Sequence, residues 1–261
     1  MKKLPVTLCM IAGAEAHRIG RALASVAEWT SELVVVINPE VADGTDRIAL
    51  EYGARVFREP WKGFVGQKNS AADKATQPWI LGLDADEVVP PTLADEIQKL
   101  FAVPGSTVQA SSAYQFPRCT FYCGRWIRHG DWYPDRVTRL WQKSAARWEG
   151  IEPHAYLRVQ GQVGRLRQDL HHFSNESIDR QIAKIAPYSD SFVQHRLQSG
   201  QRTGVLDLAV RPWWRFVRAY LLKLGFLDGW PGYYIAWLSA FSTVTRYAKV
   251  RETQRLMNTP P

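Results

Sequence analysis

The chain has 261 residues, 46% hydrophobic and 22% charged, with a formal charge of +8; this is the composition of a folded protein of one large domain or one and a half, and it excludes an intrinsically disordered chain. The basic balance calls for an anionic partner, either nucleic acid, acidic lipid headgroups or a phosphorylated substrate. Three cysteines, Cys9, Cys119 and Cys123, come without a second pair or a histidine at zinc spacing, so no disulfide framework or zinc knuckle is expected and a reducing cytosol is.

Met1-Lys2-Lys3-Leu4-Pro5 opens with two lysines and a short apolar stretch that lacks a small-residue cleavage site, and reads as the approach to a first strand, not a signal peptide. Residues 4–11, 32–37, 54–58 and 79–83 carry strand-like apolar runs. Between them, 18–29 (Ile19, Leu23 and Val26 at helical spacing), 46–52 and 66–75 read as helices. This alternation predicts an α/β protein of βαβ units wound into a parallel sheet. The fourth strand ends in Asp84-Ala85-Asp86-Glu87. Acids at i and i+2 at a sheet edge can face one hard cation and the polar part of a ligand. The same residues also fit the acidic first turn of a helix before Pro90. Their place at the carboxyl edge, where open α/β sheets bind ligands, favours the cation.

From 106 to 167 the chain changes to short aromatic and basic runs (114–118, 121–127, 137–142) broken by Gly and Pro, read as mixed sheet and loops where a second substrate enters. Between 211 and 251 seven basic residues (Arg211, Arg215, Arg218, Lys223, Arg246, Lys249, Arg251) face a single acid, Asp228, amid many aromatics. On a helix Arg211, Arg215 and Arg218 share one face and Trp214, Val217, Leu221 and Leu224 another, a basic amphipathic pattern. The uncharged run 229–245 is at the lower limit for a bilayer span. The tail therefore reads as an interfacial hairpin, or as a helical pair packed on the domain with its arginines solvated.

Many short motifs stand in one order: Ala14-Glu15-Ala16-His17-Arg18-Ile19, Gly44-Thr45-Asp46, Glu51-Tyr52-Gly53-Ala54-Arg55-Val56, Gly66-Gln67-Lys68-Asn69 and Leu83-Asp84-Ala85-Asp86-Glu87. They continue with Gly124-Arg125-Trp126-Ile127-Arg128, Trp132-Tyr133-Pro134-Asp135, Arg139-Leu140-Trp141, Leu170-His171-His172-Phe173-Ser174 and the stretch from Tyr220 to Gly229. On these residues the chain resembles the family-2 glycosyltransferases of GT-A fold, most closely the lipopolysaccharide core β-glucosyltransferases, over nearly its whole length. The resemblance implies a Rossmann-like nucleotide-sugar-binding sheet with helices on both faces and a C-terminal helical, membrane-associating tail. It divides the chain into a donor-binding half (1–105), an acceptor-binding half (106–205) and the tail (206–261).

What the resemblance implies chemically is an inverting hexosyl transfer from a nucleoside-diphosphate sugar, UDP-glucose first, to a lipid-linked anionic saccharide such as the lipopolysaccharide inner core. The protein would work at the inner face of the cytoplasmic membrane, held on an anionic surface, with no nucleic acid. Asp86 is then the direct ligand of Mg²⁺ or Mn²⁺, and Asp84 addresses the ribose or the metal through water. Lys68 aids the donor phosphates with Gln67 and Asn69; Cys9, Ile11, Glu15, Asn38 and Ala85 complete the donor site. Glu152 and then Asp135 are the candidate bases, and Arg139 and His154 the acceptor contacts. A surface pair with Asp135 is the other reading of Arg139, and a structural role the other reading of His154, His171 and His172.

Three positions depart from the family pattern: Asn-Glu-Glu is Ala14-Glu15-Ala16, Asp-Ser-Gly is Ile37-Asn38-Pro39, and Val-His-Glu is Pro153-His154-Ala155. Asn38 keeps an amide oxygen for a base N–H but loses the charge. These losses leave open a catalytically impaired scaffold, and the basic, aromatic tail leaves open a nucleic-acid-binding protein.

Overall fold

Strands β1 (Leu4–Ala12), β2 (Thr30–Ile37), β3 (Arg55–Arg58) and β4 (Trp79–Gly82) form where their apolar runs predict, and pair in parallel in the order β3-β2-β1-β4. The computed structural model describes residues 3–102, 111–151, 154–173, 177–201 and 203–258, which divide into two compact units. The first unit, 1–118 with 135–173, holds this parallel core. Val6, Leu8 and Met10 of β1 point into one buried cluster with Ile19, Leu23, Leu81 and Ile97, whereas Cys9 joins Val34, Val36, Ile80 and Trp141 on the other side. Both faces are thus covered, which is why these strands read as continuous apolar runs without polar alternation. Each such Leu, Ile or Val contributes about 1.5–3 kcal/mol by leaving water.

Helices α1 (Ile19–Ala24), α2 (Thr45–Glu51) and α3 (Gly63–Asp73) follow β1, β2 and β3. α1 stops short of the predicted 18–29 because Ser25 Oγ donates to the carbonyl of Ala22 (2.6 Å) and Trp29 Nε1 to that of Ser25 (3.0 Å), holding the chain in turns. α3 starts three residues before its predicted onset, so Phe64 lies in its first turn. After β5 (Glu87–Val88), α4 (Pro91–Ala102) buries Leu93, Ala94 and Ile97; it begins at Pro91, so Asp86 and Glu87 stand outside its first turn, unlike the helical reading of those acids.

The sheet continues beyond β4 with β6 (Ala113–Tyr122), β8 (Asp135–Gln142) and β12 (Leu170–His172), in the order β4-β8-β6-β12-β5, and β4–β8, β8–β6 and β12–β5 pair antiparallel. β7 (Arg125–Ile127) and β11 (Val163–Arg165) also pair with β6, while β9 (Ala146–Ile151) and β10 (His154–Val159) form a separate ribbon. Gly82 is required where β4 meets β8: a Cβ there would stand 2.8 Å from the Trp141 ring, which is wedged edge-on against Trp148.

The second unit, 119–134 with 174–261, contains β7 and the helices α5 (Ile178–Gln198), α6 (Val205–Val217) and α7 (Gly229–Asn258). α5 groups with the two tail helices, so this boundary differs from the expected division at 205. α5 was not anticipated. Buried Asp228 accepts the backbone N–H groups of Arg128 (3.0 Å) and His129 (2.8 Å), and the His129 ring lies 3.0 Å away. Gly232, in the first turn of α7, allows a backbone approach that a Cβ would block at 1.9 Å from the carbonyl of Gly225. The uncharged run 229–245 lies within this single helix, and no helix among the described residues is long and apolar enough to cross a membrane.

Candidate active site

β1 and β4 lie side by side, and the strands that follow them in the chain lie in opposite directions along the sheet, β2 next to β1 and β5 at the far edge beyond β4, which leaves a crevice beyond their carboxyl ends. Cys9 is opposite Gly82 in the register, so two residues further along each strand Ile11 and Asp84 reach the rim together. A cavity of about 590 Å³ opens there. Ile11, Glu15, Asn38, Gln67, Lys68 and the Asp84-Ala85-Asp86 turn line it. Arg18, Glu40, Trp61 and Phe64 line it too and were not assigned. Trp61 and Phe64 meet edge to face at 4.9 Å. Glu40 returns to this rim a carboxylate, two residues beyond the neutral Asn38.

Asp84 belongs to a chain of alternating charges that runs from Lys68 to Asp135. Lys68 Nζ donates to its Oδ1 (2.8 Å) and Arg139 to its Oδ2. The same Arg139 nitrogen reaches Glu87 Oε1 at 2.6 Å, Glu87 also meets Arg118 at 3.2 Å, and Arg118 pairs with Asp135 at 2.6 Å. Arg139 is buried and Glu87 fully so. Burial by itself would raise the Asp84 pKa, yet Arg139 and Lys68 outweigh it and hold the carboxyl far below the usual range. Glu87 further accepts the backbone N–H of Asp84 (3.1 Å), which fixes the turn.

Asp86 is held more loosely. Its Oδ2 lies 3.4 Å from His172 Nε2 and 3.5 Å from Arg18, and its backbone carbonyl accepts from Phe173 N–H (2.8 Å). Burial opposes ionisation here as well, but His172 and then Arg18 keep the carboxyl below its ordinary value. Arg18 is itself gripped by both oxygens of Glu15, the acid that survives in Ala14-Glu15-Ala16. Thr45 Oγ1 and Asp43 pin that loop by accepting the N–H groups of Glu15 (2.8 Å) and Ala16 (3.0 Å).

Gln67 is buried at 1% exposure, yet neither amide atom has a partner among the described residues. A buried amide left unpaired costs about 1–3 kcal/mol, so one that faces a cavity is matched to a polar group entering it.

The placement corrects several expectations. Cys9 does not line the cavity: it is buried beneath α3, donates to the carbonyl of Ala71 (3.4 Å), and burial pushes its thiol pKa up. Asn69 turns away, its amide donating to the carbonyl of Trp148 (2.9 Å) and accepting that residue's N–H (3.0 Å), a clamp between α3 and β9. Arg139 is neither an acceptor contact nor the surface partner of Asp135; it is the buried counter-ion of Asp84 and Glu87. Asp135 is held by Arg118 outside the cavity lining. Glu152 lies outside the described residues, as does the side chain of His154, whose backbone belongs to β10. His172, for which a structural role is the expectation, lies 3.4 Å from Asp86; the only sequence signal for it is a double histidine after a strand.

Comparison with known proteins agrees with this geometry. The glycosyl transferase family 2 model matches residues 7–167. A Rickettsia prowazekii protein named an uncharacterized glycosyltransferase is 30% identical over 267 residues, spanning 97% of this chain and 88% of its own. The lipopolysaccharide core biosynthesis glycosyltransferase LpsC of Rhizobium meliloti is 27% identical over 260 residues, 94% of each chain. S. aureus TarS in complex with UDP-GlcNAc shares the fold at TM-score 0.51 and 13% identity, over 99% of this chain and 93% of that one. The Pyrobaculum calidifontis mannosyltransferase PcManGT, in complex with GDP-Man and Mn²⁺, does so at TM-score 0.50 and 15% identity, over 100% and 89%. With a nucleotide-sugar-binding fold and a family model that covers most of its length, the chain belongs to glycosyl transferase family 2.

Proposed function

We propose that the protein is an inverting, metal-dependent hexosyltransferase that moves glucose from UDP-glucose to a lipopolysaccharide inner-core or similar lipid-linked saccharide. The observation that carries this reading is the single cavity where Asp84, Asp86, Lys68, Arg18 and the unpaired Gln67 amide meet at the sheet's switch point. The name of LpsC supports the acceptor class, and the ligands of TarS and PcManGT support a nucleotide sugar with a divalent cation.

The donor set suits a hard cation. Among the described residues no three His, Cys, Asp or Glu side chains form a cage, which is compatible with an ion that takes one or two carboxylates and completes its shell with phosphate oxygens and water. Asp86 would hold it with His172 beside, since both oxygens of Asp84 already accept cationic donors. Bound there, Mg²⁺ or Mn²⁺ neutralises charge on the diphosphate. Lys68 and Arg18 add fixed positive charge at the same rim, and Gln67 hydrogen-bonds the donor's polar groups. An acceptor hydroxyl forms the new bond to the anomeric carbon while the bond to the diphosphate breaks on the opposite face. Its proton passes to a carboxylate, Glu152 in this reading.

Calorimetric titration of UDP-glucose with and without Mn²⁺ tests the proposal. Saturable binding that needs the metal is expected; no metal-dependent binding of this or any other nucleotide sugar defeats it. Gln67→Leu should weaken donor affinity about tenfold, or roughly 1.4 kcal/mol. The variant should melt no lower than the parent, because an apolar isostere replaces an unsatisfied amide. A lowered melting temperature with unchanged affinity would make Gln67 structural.

The second unit supports the membrane part of the reading. Trp230, Tyr233, Trp237, Phe241 and Val244, spaced by three or four along α7, are all exposed. An aromatic stripe of this kind suits a lipid interface. Trp237→Asp with Phe241→Asp should cut co-sedimentation with phosphatidylglycerol vesicles at least fivefold and leave UDP-glucose affinity alone. Undiminished sedimentation would remove the stripe from membrane binding.

A further inference from the structure

The second unit holds more positive charge than its own acids neutralise. Asp131, with a carboxyl almost wholly buried, is met by Arg215 at 2.8 Å, Arg218 at 2.8 Å and Lys223 at 3.0 Å. One negative charge therefore serves three positive ones. Arg246 adds a further cation, and among the described residues no carboxylate lies within ion-pair reach of it. Its Nη2 donates to Thr243 Oγ1 (3.1 Å) and its guanidinium lies over the Phe192 ring (5.0 Å), while its Nε is buried without a hydrogen-bond partner among the described residues. Burial pushes its pKa down; Tyr247 opposes this, while Arg215 and Arg211 add to it, and the net direction is down. Like charges gathered in a low-dielectric setting repel, unless an anion joins them.

Arg215 and Arg246 border a cavity of about 230 Å³ with Lys184 of α5 and the hydroxyl residues Ser239, Ser242 and Thr243 of α7. Among the described residues no carboxylate lines this cavity, and none of its lining residues lines the donor cavity. The volume is several times the ~30 Å³ share of one water. Two guanidinium groups, an ammonium and hydroxyls converging from different helices match a tetrahedral oxyanion that accepts on every side, more than a flat carboxylate. We propose that this cavity binds a phosphate group, carried either by a soluble phosphoester or by a lipid headgroup.

The full-length protein, its Arg246→Gln variant and its Lys184→Gln variant would be titrated with sn-glycerol 3-phosphate by calorimetry. Their co-sedimentation with phosphatidylglycerol and phosphatidylcholine vesicles would be measured in parallel. Either the soluble ester or the phosphatidylglycerol vesicle should bind the parent saturably, and each substitution should weaken that binding tenfold or more with the melting temperature and UDP-glucose affinity retained. Response to the soluble ester assigns the site to a free phosphoester, and response to the vesicle alone assigns it to a headgroup. The proposal is overturned if the parent binds neither probe, or if both variants bind as the parent does. Phosphate caught in the donor cavity gives the latter result, because neither residue reaches it. Should one variant fold poorly, the other decides.

Discussion

Replacement of Asp86 by alanine should lower the rate of sugar transfer by about a thousandfold or more, on the order of 4 kcal/mol of transition-state stabilisation. The carboxylate borders the cavity at the sheet edge, and its side-chain partners, His172 at 3.4 Å and Arg18 at 3.5 Å, are long contacts. Arg18 keeps its two bonds to Glu15 in the variant, and the bond from Phe173 N–H to the carbonyl of residue 86 belongs to the backbone. Stability should therefore change by less than about 1 kcal/mol. Initial rates with UDP-glucose and a purified inner-core lipid, beside a thermal melt, separate the two effects. Turnover at the parental rate would end the assignment of the cation to this residue.

Arg139→Met gives the opposite pattern, a loss of about 3–5 kcal/mol of stability, because it strands Glu87 and Asp84 without their shared counter-ion. For a chain of this size that is a fall of roughly 10 °C in Tm. The variant should also unfold at a less acidic pH. In the parent the Asp84 carboxyl titrates well below its unfolded value, despite burial, because Arg139 and Lys68 stabilise the ionised form. Such a group contributes stability above the unfolded carboxylate pKa of about 3.9, and that contribution is lost as pH falls through the folded value. Without Arg139 the depression shrinks, so less of the contribution survives at any acidic pH. Chemical denaturation across pH 3–7 checks both; an unchanged midpoint would mean that Lys68 alone suffices.

The parallel core was legible because its strands are continuous apolar runs buried on both faces, and the two aspartates because such a strand ends abruptly in charge. Helix α5 escaped because its apolar residues are sparse and Pro187 interrupts the pattern. In α4, the stripe of Leu93, Ala94 and Ile97 was hidden between a pair of prolines and acidic residues. On α3 each residue turns the side chain by about 100°, so Gln67 and Lys68 reach the cavity while their neighbour Asn69 swings to Trp148. Cys9 and Ile11 share a strand face, but two residues of strand span nearly 7 Å, enough to put one under α3 and the other at the rim. Arg139 and His172 arrive on β8 and β12, strands distant in sequence from Asp84 and Asp86. Local pattern carries no record of such pairings.

The bonds that join Asp228 to Arg128 and His129 span 100 and 99 positions, and this has a consequence during synthesis. At roughly 5–20 residues per second a nascent chain has residue 128 for about 5–20 s before it has residue 228. Until then the two amides of the 119–134 excursion have no carboxylate to receive them. The tail is therefore not a detachable anchor: a chain cut ahead of α6 would emerge from the ribosome with that excursion unfinished.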